Sequence, residues 1–179
     1  MTARILLDAC VLYPTLMRQM LVAAARAGAF QPLWSPRILD EWRHAAARSG
    51  PVEAEIVRAE IALLTSGFPG AMVAPDPDLI DRLSLPDPDD RHVLAAALSG
   101  RAEAILTANL KDFPTRTLSR HGVLRYDPDG FFCDLLTEDG ELAGTLLPPI
   151  TLAAEQLGQS PKSILKKSRL PRLAKRLGL

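Results

Sequence analysis

Residues 90–113 read DRHVLAAALSGRAEAILTANLKDF, and this stretch decides the fold. Apolar residues recur at helical spacing from about position 90 to position 99, and Gly100 is typical of a helix end. Residues 104–107 then form a short apolar run, which predicts a strand, and a loop follows through Asn109 and Asp112. A helix followed closely by a buried strand is the unit from which parallel α/β sheets are built.

The same alternation extends through most of the chain. The sequence predicts strands at residues 3–7, 32–34, 72–74, 104–107 and 123–126. It predicts helices between Pro14 and Gly28 and at residues 36–48, 52–65, 90–99 and 128–136. Because parallel strands need crossover connections, we expect an α/β fold of three layers, α/β/α, with a mainly parallel sheet of four or five strands.

Composition bounds the kind of protein. With 179 residues, 47% of them hydrophobic and 23% charged, the chain can build one domain with a tail, which excludes whole-chain disorder. Its two cysteines, Cys10 and Cys133, are too few for a disulfide framework and lack zinc-ligand spacing. No apolar run approaches the roughly 18 residues of a membrane span, and no signal peptide is evident. We therefore expect a cytoplasmic protein without a membrane partner.

The formal net charge is zero, with 21 basic and 21 acidic residues, but the charges are unevenly distributed. Residues 159–179 contain seven basic residues and no acid, so residues 1–158 carry a net charge of −7. Such a basic tail predicts contact with nucleic-acid phosphates, and the alternative is a solvated or core-docked helical face. The candidate nucleic-acid contacts are Lys166, Lys167 and Arg169 in the tail, with Arg91 and Lys111 beside the acids described next.

Four acidic residues fall where the predicted strands end. Asp8 ends the first strand, Glu41 lies in the helix after the second, Asp90 begins the helix before residues 104–107, and Asp112 follows that strand. In an open parallel sheet the functional crevice lies outside the carboxyl ends of the strands. Converging carboxylates repel one another unless cations lie between them, and oxygen ligands suit Mg²⁺ or Mn²⁺. The pattern favours metal-assisted hydrolysis of a phosphodiester.

Neighbouring acids have simpler interpretations. Asp89 is expected to cap the helix that begins at Asp90, and Asp40 to be a solvated helix charge. Asp87 is expected in a loop from which it could reach the cluster. Asp8 alone could be an ordinary turn residue at a strand end, so the co-occurrence of the acids carries the argument.

Four segments together resemble the PIN-domain ribonucleases, which include the VapC-like toxin components of bacterial toxin–antitoxin pairs. They are LLD at 6–8, SPRILDE at 35–41, DRHVLAAA at 90–97 and LTANLKDF at 106–113. The resemblance spans about residues 3–137. It implies a PIN-like, Rossmann-like nuclease domain over residues 1–137, followed by a C-terminal helical extension with the basic tail over residues 138–179.

The resemblance also implies a mechanism and partners. One or two Mg²⁺ or Mn²⁺ ions would support endonucleolytic cleavage of RNA, and the four matching carboxylates, both catalytic and metal-binding, would be Asp8, Glu41, Asp90 and Asp112. Thr107 and Asn109 match supporting polar positions. Toxins of this kind pair through their early helices, which implies a homodimer, and a cognate antitoxin is an expected partner.

Two other functions compete with this interpretation. Haloacid dehalogenase-like phosphatases also place an Asp after the first strand, but they need a second Asp two residues later, where this chain has Cys10. A nucleic-acid binding protein without catalysis would explain the basic tail, although unneutralised acids would repel its ligand. The three histidines, His44, His92 and His121, show no metal-ligand pairing, so we expect surface or core roles for them.

Overall fold

The computed structural model describes residues 2–179. Within that range the strands are β1 (Arg4–Leu7), β2 (Gln31–Leu33), β3 (Ala104–Leu106) and β4 (Leu124–Tyr126). The helices are α1 (Ala9–Leu12), α2 (Thr15–Arg26), α3 (Pro36–Ala47), α4 (Pro51–Gly67), α5 (Pro77–Arg82), α6 (Arg91–Ser99), α7 (Thr115–Ser119), α8 (Pro128–Glu138), α9 (Leu142–Leu157), α10 (Pro161–Lys167) and α11 (Pro171–Arg176). A 3-10 turn, Pro88–Asp90, directly precedes α6.

The strands form one four-stranded parallel sheet in the order β2-β1-β3-β4. In the register of the sheet, Leu6 lies opposite Leu33 on one side and Ile105 on the other. Helices connect the consecutive strands, as parallel pairing requires, and they flank the sheet. The prediction of a three-layer α/β/α fold with a mainly parallel sheet is confirmed, with four strands.

The centre of the core lies between the sheet and α6. Leu6 and Ile105 are fully buried, and α6 is buried at every position from His92 to Ala97. Gly100 ends the helix where a Cβ atom would lie only 2.9 Å from Val73 Cγ2. This close approach requires glycine, because real Cβ atoms do not come that near to a neighbour.

The predicted strand at residues 72–74 is wrong. Only a single parallel bridge joins Trp34 and Met72 there, and Val73 N donates to the carbonyl of Trp34 at 2.8 Å. Pro75 follows immediately, and proline cannot continue the ladder of hydrogen bonds. The segment therefore touches the edge of β2 without becoming a fifth strand.

The residues beyond Glu138 form three helices, α9 to α11, where the sequence predicts one or two short ones. Pro148 and Pro149 are expected to break a helix, but both lie inside α9. An interior proline costs about 3 kcal/mol. Burial of Leu146 and Ile150 on one side of α9, which packs against α2, contributes about 1.5–3 kcal/mol for each side chain and offsets that cost. Within residues 2–179, no helix is both long enough and apolar enough to cross a membrane.

Candidate active site

The carboxyl ends of β1 and β3 bring Asp8 and Thr107 together. Asp8 N donates to the carbonyl oxygen of Leu106 at 3.1 Å, so the sheet register continues one residue beyond β1. The Thr107 hydroxyl then donates to Asp8 Oδ2 at 2.7 Å and accepts from Asn109 N at 3.0 Å. Asp8 is only 7% exposed, and Thr107 is fully buried. The Asp8 carboxylate is thus held in one orientation by the neighbouring strand.

Cys10 is a further partner of this carboxylate. Its thiol donates to Asp8 Oδ2 at 3.0 Å, and Cys10 Sγ accepts from Ala108 N at 3.2 Å. Burial, reinforced by the charge of Asp8, raises the pKa of the Cys10 thiol to about 12. A thiol with so high a pKa stays protonated and serves as a hydrogen-bond donor, which does not suit a nucleophile.

Three other carboxylates converge at the same edge of the sheet. One oxygen from each of Asp87, Asp90 and Asp112 lies within 4.8 Å of the other two. Asn109 Nδ2 donates to Asp90 Oδ2 at 3.3 Å, which links this cluster to the loop that follows Thr107. The structure therefore brings together Asp90 and Asp112, as predicted, and adds Asp87 to them.

Asp87 lies in the cluster, which the sequence only partly predicts. The prediction that Asp89 caps the helix is wrong. Asp87 Oδ1 accepts from Asp89 N at 2.9 Å, so Asp87, and not Asp89, caps the turn that leads into α6. The signal lies in the order Asp87-Pro88, because an N-cap acid is commonly followed by proline at the first helical position. Asp87 thus both caps this turn and contributes an oxygen to the group of three acids.

Burial and the neighbouring acids lower the acidity of Asp90. Burial, together with the negative charges of Asp8, Asp87 and Asp112, raises the pKa of Asp90 to about 6, and the nearby His92 acts in the opposite direction. Asp8 thus lies close enough to Asp90 for its charge to act on that carboxyl. All these donors are oxygens, which fit Mg²⁺ or Mn²⁺, and a divalent cation would relieve their repulsion.

Glu41 lies beside this cluster, not within the compact group of three acids. His92 Nε2 lies 2.8 Å from Glu41 Oε1, without the alignment of a full hydrogen bond, and Arg37 Nε lies 3.4 Å from the same oxygen. His92 is only 1% exposed, and its Nδ1 has no hydrogen-bond partner within residues 2–179. The expected core position of His92 agrees with its burial, but neither ring nitrogen has a well-aligned hydrogen bond within residues 2–179, so its polar groups are not satisfied there.

The basic residues predicted to bind nucleic acid differ in their exposure and in their contacts. Arg91 is half-buried and donates to the carbonyl of Pro88 at 2.9 Å. Lys111 is exposed, with Nζ at 3.7 Å from Asp112 Oδ2. Lys166, Lys167 and Arg169 are all exposed at the end of α10.

The helices of the tail are docked on the core. Leu165 of α10 and Leu173 of α11 are fully buried. The Asp129 carboxylate accepts from the backbone nitrogens of Arg172 and Leu173, at 3.0 and 2.8 Å, and so caps α11. One face of the tail is thus docked on the core, and Lys166, Lys167 and Arg169 lie on an exposed face.

Comparison with known proteins agrees with this geometry. Residues 4–111 match the family model described as PIN domain. The chain belongs to the PIN-domain family. The match includes Asp8, Glu41 and Asp90 but ends one residue before Asp112, so the position of Asp112 rests on its contact with Asp87 and Asp90.

This PIN domain is also similar to Putative ribonuclease VapC50 from Mycobacterium tuberculosis. The two are 51% identical over 47 residues, which is 26% of this chain and 28% of that relative, so the similarity supports VapC-like membership in the family. The chain thus matches well under two thirds of the relative's length. No solved structure matches the chain.

Proposed function

We propose that this PIN domain is a metal-dependent endoribonuclease that hydrolyses RNA phosphodiester bonds. The observation that carries the proposal is the convergence of Asp87, Asp90 and Asp112 within 4.8 Å, beside Asp8 at the carboxyl edge of a parallel sheet. Acids so arranged are unfavourable in the absence of a cation, as the raised pKa of Asp90 indicates. The relative's printed name supports ribonuclease chemistry.

One or two Mg²⁺ or Mn²⁺ ions would be held by Asp90 and Asp112 together with Asp8 and Asp87. The PIN resemblance also assigns Glu41 to the site, together with Asp8, Asp90 and Asp112. When bound, such an ion supplies activation of water and neutralisation of charge on the phosphoryl oxygens. Five carboxylates are more ligands than one cation requires. We therefore assign Glu41, which lies outside the compact group of three acids, to the attacking water.

The protein's own side chains orient this site. Thr107 and Cys10 fix the Asp8 carboxylate, and Asn109 fixes that of Asp90. Glu41, beside His92, accepts a proton from water as the water oxygen attacks phosphorus and the bond to the leaving oxygen breaks. Preorganised carboxylates of this kind lower the barrier because they need no rearrangement during the reaction.

We further propose that the protein is the toxin of a toxin–antitoxin pair, with an antitoxin protein as its partner. The similarity to Putative ribonuclease VapC50 supports this role. Exposed apolar residues of α4, at Val52, Ile56 and Leu63, offer contact area for such a partner. A homodimer would need a surface other than the α2 face that α9 covers.

The test is cleavage of a mixed RNA preparation in Mg²⁺ or Mn²⁺. Asp8→Asn and Asp112→Asn should each lower the cleavage rate by about 100-fold or more, because each removes a charge from the site. Asp40→Asn is the matched control, since Asp40 is exposed on α3 and pairs only with Arg43. Equal cleavage by wild type and Asp8→Asn would overturn the proposed site, and RNA binding without cleavage would favour a non-catalytic binding protein.

A further inference from the structure

A cleft of about 580 Å³ lies beside Asp8, and most of its lining residues lie outside the site described above. Val11 and Met17, from α1 and α2, line one side, and Leu110, from the loop after β3, lines another. Lys167 and Arg169, at the end of α10, line the side formed by the C-terminal extension. The cleft therefore combines apolar walls with two cationic side chains, and its size is typical of small-ligand sites.

The cleft adjoins the proposed catalytic site directly. Cys10 lines the cleft, and its Sγ lies 3.0 Å from Asp8 Oδ2. Ala108 also lines it, and Ala108 N donates to the same sulfur at 3.2 Å. A strand of RNA whose scissile phosphate lies at Asp8 would thus place a neighbouring nucleotide at the entrance of the cleft.

The charge of the cleft matches such a nucleotide. Lys167 and Arg169 are exposed, and neither is paired with a carboxylate of residues 2–179, since Lys167 Nζ contacts the neutral Gln159 at 2.7 Å. Asp127 also lines the cleft, but one of its oxygens accepts from Gly130 N at 2.9 Å and caps α8. The two cations therefore remain available to bind a phosphate.

The backbone at Arg169 supports a role for its side chain. Arg169 has φ of 61°, in the left-handed region, immediately after the C-cap of α10. Glycine is the usual residue at this position, because a side chain there is strained. The arginine is thus held in an unfavourable backbone conformation at the edge of the cleft that it lines, and strained residues of this kind are common at binding sites.

Resting on the proposed nuclease function, we propose that this cleft binds one nucleotide of the RNA substrate next to the scissile phosphate. Lys167 and Arg169 bind its phosphate, and Val11, Met17 and Leu110 pack against its base. The base contacts would then come from residues that match the PIN family model, and the phosphate contacts from the C-terminal extension, which lies outside that match.

The test measures binding of a labelled single-stranded RNA of mixed sequence, with Asp8→Asn as the background so that the probe is not cleaved. Arg169→Gly and Lys167→Gln should each weaken binding about tenfold and should each reduce the slope of log affinity against log salt by about 0.7. Leu110→Ser should weaken binding without changing that slope, because it removes an apolar contact and no charge.

Arg101→Gly is the matched control. Arg101 is also an exposed arginine with positive φ, 51°, after a helix end, but it precedes β3 and so lies at the opposite edge of the sheet from Asp8. Both glycine variants should unfold at the same temperature as the background or higher, because glycine relieves the same strain. Loss of RNA affinity in Arg169→Gly but not in Arg101→Gly would support the proposal that the cleft binds RNA.

Two results would overturn the proposal. One is RNA affinity and salt slope unchanged by Arg169→Gly and Lys167→Gln, which would leave a protein segment as the occupant of the cleft. The other is an equal loss in Arg101→Gly, which would indicate non-specific attraction. The nuclease proposal fails separately, when wild-type protein does not cleave RNA in Mg²⁺ or Mn²⁺ although the cleft variants still alter binding.

Discussion

Single hydrogen bonds set the orientation of the acids in this site. Asp8 accepts from Thr107 and Cys10, and Asp90 accepts from Asn109. Thr107 and Asn109 could be predicted because they follow a recognisable strand within a motif. Cys10 could not, because a cysteine near a strand end has no sequence signal that separates a carboxylate partner from ordinary packing.

His92 is the residue whose replacement best tests the position of Glu41. Because His92 Nε2 lies 2.8 Å from Glu41 Oε1, His92→Leu should lower the cleavage rate about tenfold or more, as loss of a partner behind a site carboxylate commonly does. His92→Gln keeps a nitrogen donor and should recover part of the activity. The measurement is kcat and KM for metal and for RNA, with thermal unfolding as the check on folding. Equal losses in the two variants would show that His92 only fills space.

The raised pKa of Asp90, about 6 against an ordinary 3.8, predicts opposite effects of pH in the absence and presence of metal. Without metal, the folded protein holds this proton more tightly than the unfolded chain does. The stabilising contribution of the proton is therefore complete below about pH 4 and is lost as the pH rises through about 6. Metal binding needs the ionised carboxylate, so the gain in melting temperature on adding Mn²⁺ should increase from about pH 5 to about pH 7.5.

Asp90→Asn should flatten the pH dependence of stability without metal and the pH dependence of the gain from Mn²⁺. Asp40→Asn should change neither, since Asp40 pairs with Arg43. Melting curves with a chelator and with Mn²⁺ across this pH range provide the measurement. A gain from Mn²⁺ that is the same at each pH in wild-type protein would contradict the assignment of Asp90 to the metal.

At the scale of elements, the sequence predicts best where the pattern is periodic and local. The helix at 90–99 and the strand at 104–107 appear within a residue or two of their predicted bounds as α6 and β3. The helix at 36–48 appears as α3, with Ser35 Oγ accepting from Ile38 N at 3.3 Å as an N-cap. In each of these segments the apolar pattern and the end signals agree.

Elements whose stability depends on distant contacts were not predictable in the same way. Pro148 and Pro149 are strong local signals against a helix, but the face of α9 that meets α2 decides the outcome. Residues 72–74 have a local sequence that favours a strand, but distant contacts do not support one. They form a single bridge, between Met72 and Trp34. Asp87 joined the cluster for a similar reason, because the turn before α6 determines where its carboxylate points.

At the scale of the whole molecule, the C-terminal extension completes the core. α9 packs along α2, and the apolar face of α2, including the fully buried Met20, has its cover within the same chain. The sequence predicted that early helices would pair two copies, as in related toxins. Here α9 packs against α2, so a second copy would have to use a different part of the α2 surface.

Removal of residues 139–179 is therefore expected to do more than delete a basic tail. Without α9, the face of α2 that packs against it loses its cover, and each large apolar side chain newly exposed there costs about 1.5–3 kcal/mol. The truncated protein should bind a hydrophobic dye, unfold at a lower temperature and self-associate in sedimentation experiments, whereas Arg169→Gly with Lys167→Gln in the full chain should do none of these. A truncated protein that stays monomeric and unfolds cooperatively at the temperature of the full chain would show instead that residues 2–138 fold without the extension, and the α2 face would then be open to a second copy.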